Sequence, residues 1–161
     1  HITRAPARVS AAQAAEARDI GRRIAEAFDY VGVLAVELFA CPDGSVLVNE
    51  IAPRTHNSGH YTYGACVTSQ FEQHVRAVCG LPLGASDLVR PALMLNLLGD
   101  LWARGAPAWD ELLRYPNAKL HLYGKTPPSA GRKMGHVLFL DDDPDRAAVD
   151  ADALFAALAA K

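Results

Sequence analysis

The chain has 161 residues, 50% of them hydrophobic and 21% charged, and a net charge of −2. That composition suits a globular fold with a real core and gives no electrostatic reason to expect a nucleic-acid or membrane partner. No apolar run reaches membrane-spanning length and no signal peptide is visible; Cys41, Cys66 and Cys79 lack metal-ligand spacing and fit buried thiols in a reducing compartment better than a disulfide framework.

In chain order, Ile2-Thr3-Arg4-Ala5-Pro6 reads as the tail of a strand entering a loop, and His1 is not an initiator methionine. The chain therefore reads as the C-terminal part of something longer. Ser10 is placed to cap a helix running to about Phe28, with Ala12, Ala15, Ile20, Ile24 and Phe28 at helical spacing. Val31 to Phe39 is apolar on both faces and predicts an interior strand. Cys41-Pro42-Asp43-Gly44 is a turn signal, and Ser45 to Ile51 reads as the returning strand of an antiparallel hairpin. Thr68 to Cys79 predicts a second helix with Phe71, Val75 and Val78 inward, closed by Gly80 to Gly84. Pro91 to Leu98 predicts a strand. Trp102 to Tyr115 predicts a short helix with loops, and Lys119 to Tyr123 a strand. Lys125 to Gly135 is a basic loop, His136 to Leu140 a closing strand and Ala147 to Ala160 an alanine-rich helix. The mixture is α+β.

The hairpin carries two carboxylates. Glu37 lies thirteen residues before Glu50. With residues 41–44 in the turn, Ala40 faces Ser45 and Glu37 faces Val48. Period-two alternation then puts Glu50 on the same face as Glu37, diagonally and roughly 7–8 Å away at the backbone. That gap suits hard cations between the carboxylates, bridging phosphate oxygens. One residue of slip would separate the pair. Otherwise each acid pairs with an arginine or faces water.

Beyond Glu50 the segment Arg54-Thr55-His56-Asn57-Ser58-Gly59-His60 is dense in polar chemistry. Arg54 can grip an oxyanion bidentately, His56 can move a proton near neutral pH, and Asn57 and Ser58 can hold a polar substrate. The plainer reading is a capped loop with exposed histidines. His56 and His60 also have the spacing of a helical zinc pair, but Asn57-Ser58-Gly59 is poor helix material and no third ligand stands out. His74 and His121 read as structural. In the basic loop, Lys125, Arg132 and Lys133 with two glycines suit a phosphate clamp; on its own such a run is by default a solvated loop.

Taken together, Val-Gly-Val-Leu-Ala-Val-Glu-Leu-Phe, Val-Asn-Glu-Ile-Ala-Pro-Arg-Thr-His-Asn-Ser-Gly-His, Ala-Cys-Val-Thr-Ser-Gln-Phe-Glu-Gln-His, Asn-Leu-Leu-Gly-Asp and Gly-Arg-Lys-Met-Gly-His resemble 5-(carboxyamino)imidazole ribonucleotide synthase, an ATP-grasp enzyme of purine biosynthesis. The resemblance implies residues 1–82 as the C-terminal part of an ATP-grasp domain, an antiparallel sheet with flanking helices. It implies residues 83–161 as a small β-rich domain closing the ribonucleotide site. It implies ATP, magnesium and bicarbonate, used to carboxylate the amine of 5-aminoimidazole ribonucleotide through carboxyphosphate. By position, Glu37 and Glu50 correspond to the magnesium ligands, and Asn49 with Glu50 to the ATP contacts. Arg54 and His56 correspond to the residues around bicarbonate, with Asn57 and Ser58 in the same pocket. Lys125 and Arg132 correspond to the grip on the ribonucleotide phosphate. Thr55 stands where the family usually has proline. A cytoplasmic location, a homodimer, a carboxylase-mutase partner and an N-terminal half supplying the rest of the ATP site belong to the same expectation. The 161-residue chain alone is then expected not to turn over. The alternatives are a formate-using glycinamide ribonucleotide transformylase, a non-catalytic ribonucleotide- or partner-binding fragment, and a zinc hydrolase.

Overall fold

A computed structural model describes residues 2–159 of the chain. They form two compact units: one spans Ala7–Asp87, and the other joins the first residues, through Pro6, to the chain from Leu88 onward. The division thus falls after Asp87 where the sequence suggested residue 82, and the first strand groups with the second unit.

In the Ala7–Asp87 unit, helix α1 (Ala11–Ala27) begins at a reciprocal cap. Ser10 Oγ accepts the Gln13 N–H at 3.1 Å, while Gln13 Oε1 accepts the Ser10 N–H at 3.2 Å. The Gln13 amide also donates to the Cys41 carbonyl at 3.0 Å, tying the helix start to the hairpin. Strands β2 (Ala35–Ala40) and β3 (Val46–Ala52) form that hairpin. Its turn closes through Cys41 N–H to Ser45 O (2.9 Å) and Ser45 N–H to Asp43 Oδ1 (2.9 Å), with Gly44 at φ 91°. Helices α2 (Thr62–Ala65) and α3 (Gln70–Val78) follow. Ser69 caps α3 by accepting the Glu72 N–H at 3.2 Å, and Gly80 (φ 66°) ends it as expected.

Four expectations are corrected in this unit. The strand expected over Val31–Phe39 is regular only from Ala35. Gly32 turns the backbone at φ 128°, and the His74 Nδ1 accepts the Val33 N–H at 3.2 Å in place of a ladder partner. The hairpin is not interior: Phe39 is 57% exposed, and Leu47, Val48 and Ile51 are exposed too. Phe71, Val75 and Val78, expected inward, are likewise exposed. The cause is common to both. An apolar pattern shows which residues share a face, not whether a neighbour covers it, and this sheet has only two strands. Cys41 and Cys66 are half-buried but Cys79 is exposed, so the buried-thiol expectation fails there.

The other unit is a four-stranded antiparallel sheet in the order β1-β4-β6-β5, with β1 Ile2–Ala5, β4 Ala92–Leu98, β5 Ala118–Leu122 and β6 Lys133–Leu140. Strand β6 is thus central, not closing, and starts three residues earlier than expected. Its run from Met134 to Phe139 is buried throughout, as a strand flanked on both sides requires. Between β4 and β5, the expected short helix is one turn, α4 (Trp109–Leu112). Helix α5 (Pro144–Ala159) packs Ala147, Ala151, Leu154 and Leu158 against Leu93, Leu97, Val137 and Phe139. Residue 160, the expected helix end, lies outside the described residues.

Gly99, just past β4, has no room for a side chain. A Cβ there would sit 2.1 Å from Ser129 O and 2.7 Å from Ser129 N. Both obstacles are backbone, so nothing can rotate aside. Gly99→Ala is expected to destabilise the fold by about 1–3 kcal/mol. Urea unfolding measures this; an unchanged midpoint would show that the loop around Ser129 shifts freely.

Candidate metal and substrate site

The hairpin register differs from the sequence expectation by one residue, and a bulge restores the outcome. Ala40 pairs with Val46, Phe39 with Leu47 and Leu38 with Val48. The register then shifts, Asn49 being the extra residue, and Glu37 pairs directly with Glu50. The carboxylates are therefore cross-strand neighbours rather than diagonal ones. Asn49 Nδ2 reaches Glu37 Oε2 at 3.4 Å. Two like charges facing each other are unfavourable without a partner. Among the described residues, neither acid is paired with lysine or arginine; the basic side chain beside them is His56, whose Nε2 lies 3.5 Å from Glu37 Oε1. Ligand atoms of Glu37, Glu50 and His56 all lie within 4.8 Å of one another. Two carboxylates and an imidazole at that separation fit a divalent cation. Among the described residues it is His56, not His60, that groups with the two glutamates.

His56 is oriented from both sides. Its Nδ1 lies 2.9 Å from Ser58 Oγ and accepts the Ser58 N–H at 3.4 Å. That leaves Nε2 as the nitrogen toward Glu37. Its main chain is held by Gln70: Oε1 accepts the His56 N–H (3.0 Å) and Nε2 donates to the His56 carbonyl (2.9 Å). Asn57, Ser58 and Gly59 form a short 3-10 turn. Arg54 is exposed and donates to the Thr55 carbonyl at 2.9 Å, so its guanidinium is held locally.

Lys125 and Arg132 belong to the other unit. Lys125 Nζ donates to Lys133 O (3.0 Å) and sits 5.2 Å from the centre of the Tyr123 ring. Arg132 donates to Pro127 O at 3.0 Å. Their loop is not simply solvated. Gly99 N–H donates to Arg132 O (2.8 Å), and Gly131 N–H to Asp100 Oδ2 (2.8 Å). Tyr123 Oη lies 2.8 Å from His136 Nδ1, and His136 stacks on His121 at 4.5 Å. Burial, with Lys119 nearby, pushes the His121 imidazole below its ordinary value, consistent with a structural role. The structure thus gathers Glu37, Asn49, Glu50, His56 and Ser58 at one place, and Lys125 with Arg132 at another. Gln70, Gly99 and Asp100 escaped the residue-by-residue reading. Gln70 was visible only as part of the Ala-Cys-Val-Thr-Ser-Gln-Phe-Glu-Gln-His string, and Gly99 and Asp100 only as part of the Asn-Leu-Leu-Gly-Asp string.

Comparison with known proteins gives two family matches along the chain. Residues 1–71 match the ATP-grasp domain, and residues 92–150 match the phosphoribosylaminoimidazole carboxylase C-terminal domain. The chain is 52% identical over 140 residues to the N5-carboxyaminoimidazole ribonucleotide synthase of Bacillus subtilis, covering 87% of this chain and 36% of that protein. The chain therefore spans well under two thirds of that relative's length. The crystal structure of the Thermotoga maritima N5-carboxyaminoimidazole ribonucleotide synthetase superposes with a TM-score of 0.87 at 45% identity, covering 94% of this chain and 43% of the other. The Aspergillus clavatus N5-carboxyaminoimidazole synthase, in complex with ADP and 5-aminoimidazole ribonucleotide, gives 0.87 at 38% identity, covering 98% and 43%.

Proposed function

The chain belongs to the ATP-grasp family of N5-carboxyaminoimidazole ribonucleotide synthases, and from that premise we propose that it forms part of an enzyme that carboxylates the amine of 5-aminoimidazole ribonucleotide. The reaction would consume ATP and bicarbonate. A bicarbonate oxygen attacks the γ-phosphorus of ATP and ADP leaves. The ribonucleotide amine then attacks the carboxyl carbon of carboxyphosphate, and phosphate leaves.

The observation that carries this reading is the direct pairing of Glu37 with Glu50, with a His56 ring nitrogen within 4.8 Å of both. The two carboxylates would hold magnesium, which when bound neutralises charge on phosphate oxygens. Asn49 beside Glu37 would contact ATP. Arg54, exposed and able to leave its local carbonyl, would bind bicarbonate bidentately. His56, flanked by Glu37 and Ser58, would hold a proton at Nε2 close to the reacting anion, with Asn57 and Ser58 offering further polar contacts. Lys125 and Arg132, on a loop pinned by Gly99 and Asp100, would grip the ribonucleotide phosphate. The remaining ATP contacts would come from outside these 161 residues, so this chain alone would not turn over. A homodimer, a carboxylase-mutase partner and a cytoplasmic location complete the proposal. No described helix is long and apolar enough to cross a membrane.

The test is ADP release by the protein carrying this chain, supplied with magnesium, ATP and 5-aminoimidazole ribonucleotide. Release is expected to require bicarbonate. Release that instead needs formate and glycinamide ribonucleotide would assign the transformylase reaction, and stoichiometric zinc in the purified protein would favour a hydrolase.

A further inference from the structure

We propose that Gln70 is a positioning residue that holds the His56 main chain and fixes His60 as the neutral Nε2–H tautomer; its bearing on turnover rests on the carboxylation reading above.

The argument starts from burial. Gln70 is 8% exposed at the first turn of α3. A glutamine amide so placed has to satisfy its oxygen and both of its N–H groups within the protein. Oε1 accepts the His56 N–H at 3.0 Å and Nε2 donates to the His56 carbonyl at 2.9 Å. The amide thus pairs with one residue's main chain as a neighbouring strand would. This pairing also decides which end of the amide is oxygen. Reversed, it would set NH2 against an N–H donor and oxygen against a carbonyl.

With the amide oriented, the second Nε2 hydrogen has one destination. His60 Nδ1 lies 2.8 Å away. Since glutamine nitrogen only donates, Nδ1 must accept, and the His60 proton sits on Nε2. The ring is further restrained by stacking on Phe71, at 5.4 Å between centres and 29° between planes. The surrounding chain is built around the same amide. A Cβ on Gly59 would lie 2.6 Å from Gln70 Oε1, so glycine lets the turn close onto it. Gln70 N–H donates to Thr62 Oγ1 (2.8 Å), and that hydroxyl donates to the Gly59 carbonyl (2.6 Å).

The experiment uses the full protein carrying this chain, with its histidines labelled with nitrogen-15. Long-range proton–nitrogen spectra of wild type are expected to show His60 with an unprotonated Nδ1 and a protonated Nε2. Gln70→Glu replaces the donor by a carboxylate, and the His60 proton is expected to move to Nδ1. Bicarbonate-dependent kcat is expected to fall about a hundredfold from the misplaced loop, with the KM for ATP unchanged. Gln70→Asn, one methylene short, is expected to lose turnover as well, since reach and not polarity alone is required. A wild-type His60 carrying its proton on Nδ1 overturns the proposal, as does a Gln70→Glu protein with wild-type kcat. If that variant does not fold, the wild-type spectrum still decides the tautomer. A protein with the expected tautomer but no carboxylation activity overturns the functional reading and leaves the positioning role standing.

Discussion

Glu50→Gln is expected to lower magnesium-dependent turnover of the protein carrying this chain by about a thousandfold, the scale on which losing one dedicated electrostatic partner at a transferring group is felt. Glutamine has the shape and reach of glutamate; the charge is removed and one acceptor oxygen becomes an NH2 donor. Among the described residues Glu50 pairs with no lysine or arginine, so the change leaves no buried cation unpaired. It also removes a like-charge contact with Glu37 directly across the hairpin. In cation-free buffer the folded state should therefore be as stable as wild type or slightly more so. The two results together are diagnostic: activity lost, stability kept. Turnover within a few-fold of wild type, measured by ADP release over a magnesium titration, would remove the paired acids from the reaction.

Phe139→Ala is expected to destabilise the unit built on the four-stranded sheet by about 3–5 kcal/mol, the range for truncating a buried aromatic without refilling its space. Phe139 is fully buried on the central strand β6, opposite Leu93 on one side and Ala118 on the other. Tyr115 meets its ring edge-on at 5.8 Å and 86°, and Leu154 and Leu158 of α5 belong to the same cluster. These neighbours come from four separate segments, so no single one can collapse into the space left behind. Urea unfolding monitored by far-ultraviolet circular dichroism gives the number. A loss below about 1 kcal/mol would mean that the core repacks around the cavity.

Much of the local structure was legible because its causes are local. Ser10 and Gln13 announce a helix start by their own side chains, and Pro42-Asp43-Gly44 announces a turn. The paired acids were legible as a pair, though not by the route that joins them. Alternation in Val46–Ala52 says which residues should share a face, but the extra residue at Asn49 resets the count. Asn49 and Glu50 are adjacent polar residues where alternation asks for one of each kind; that was the available signal. The role of Gln70 was not legible, since glutamine at a helix start is ordinary and its partners lie ten and fourteen residues away. The exposed faces of the hairpin and α3 were misjudged for a different reason. Periodicity describes an element alone, whereas burial is a property of two surfaces.

The bulge makes the alignment of the acidic pair a matter of arithmetic in the chain. Adding one residue between Asn49 and Glu50 would leave every existing side chain chemically intact, yet Glu50 and Ile51 would trade sides of the ribbon, whereas removing residue 49 would close the ladder with Glu37 still opposite Glu50. Alterations in the 41–44 turn fall outside that count. Gains of single amino acids should accordingly be far less welcome in the second arm than in the connector, an asymmetry that a survey of side-chain replacements alone would never reveal.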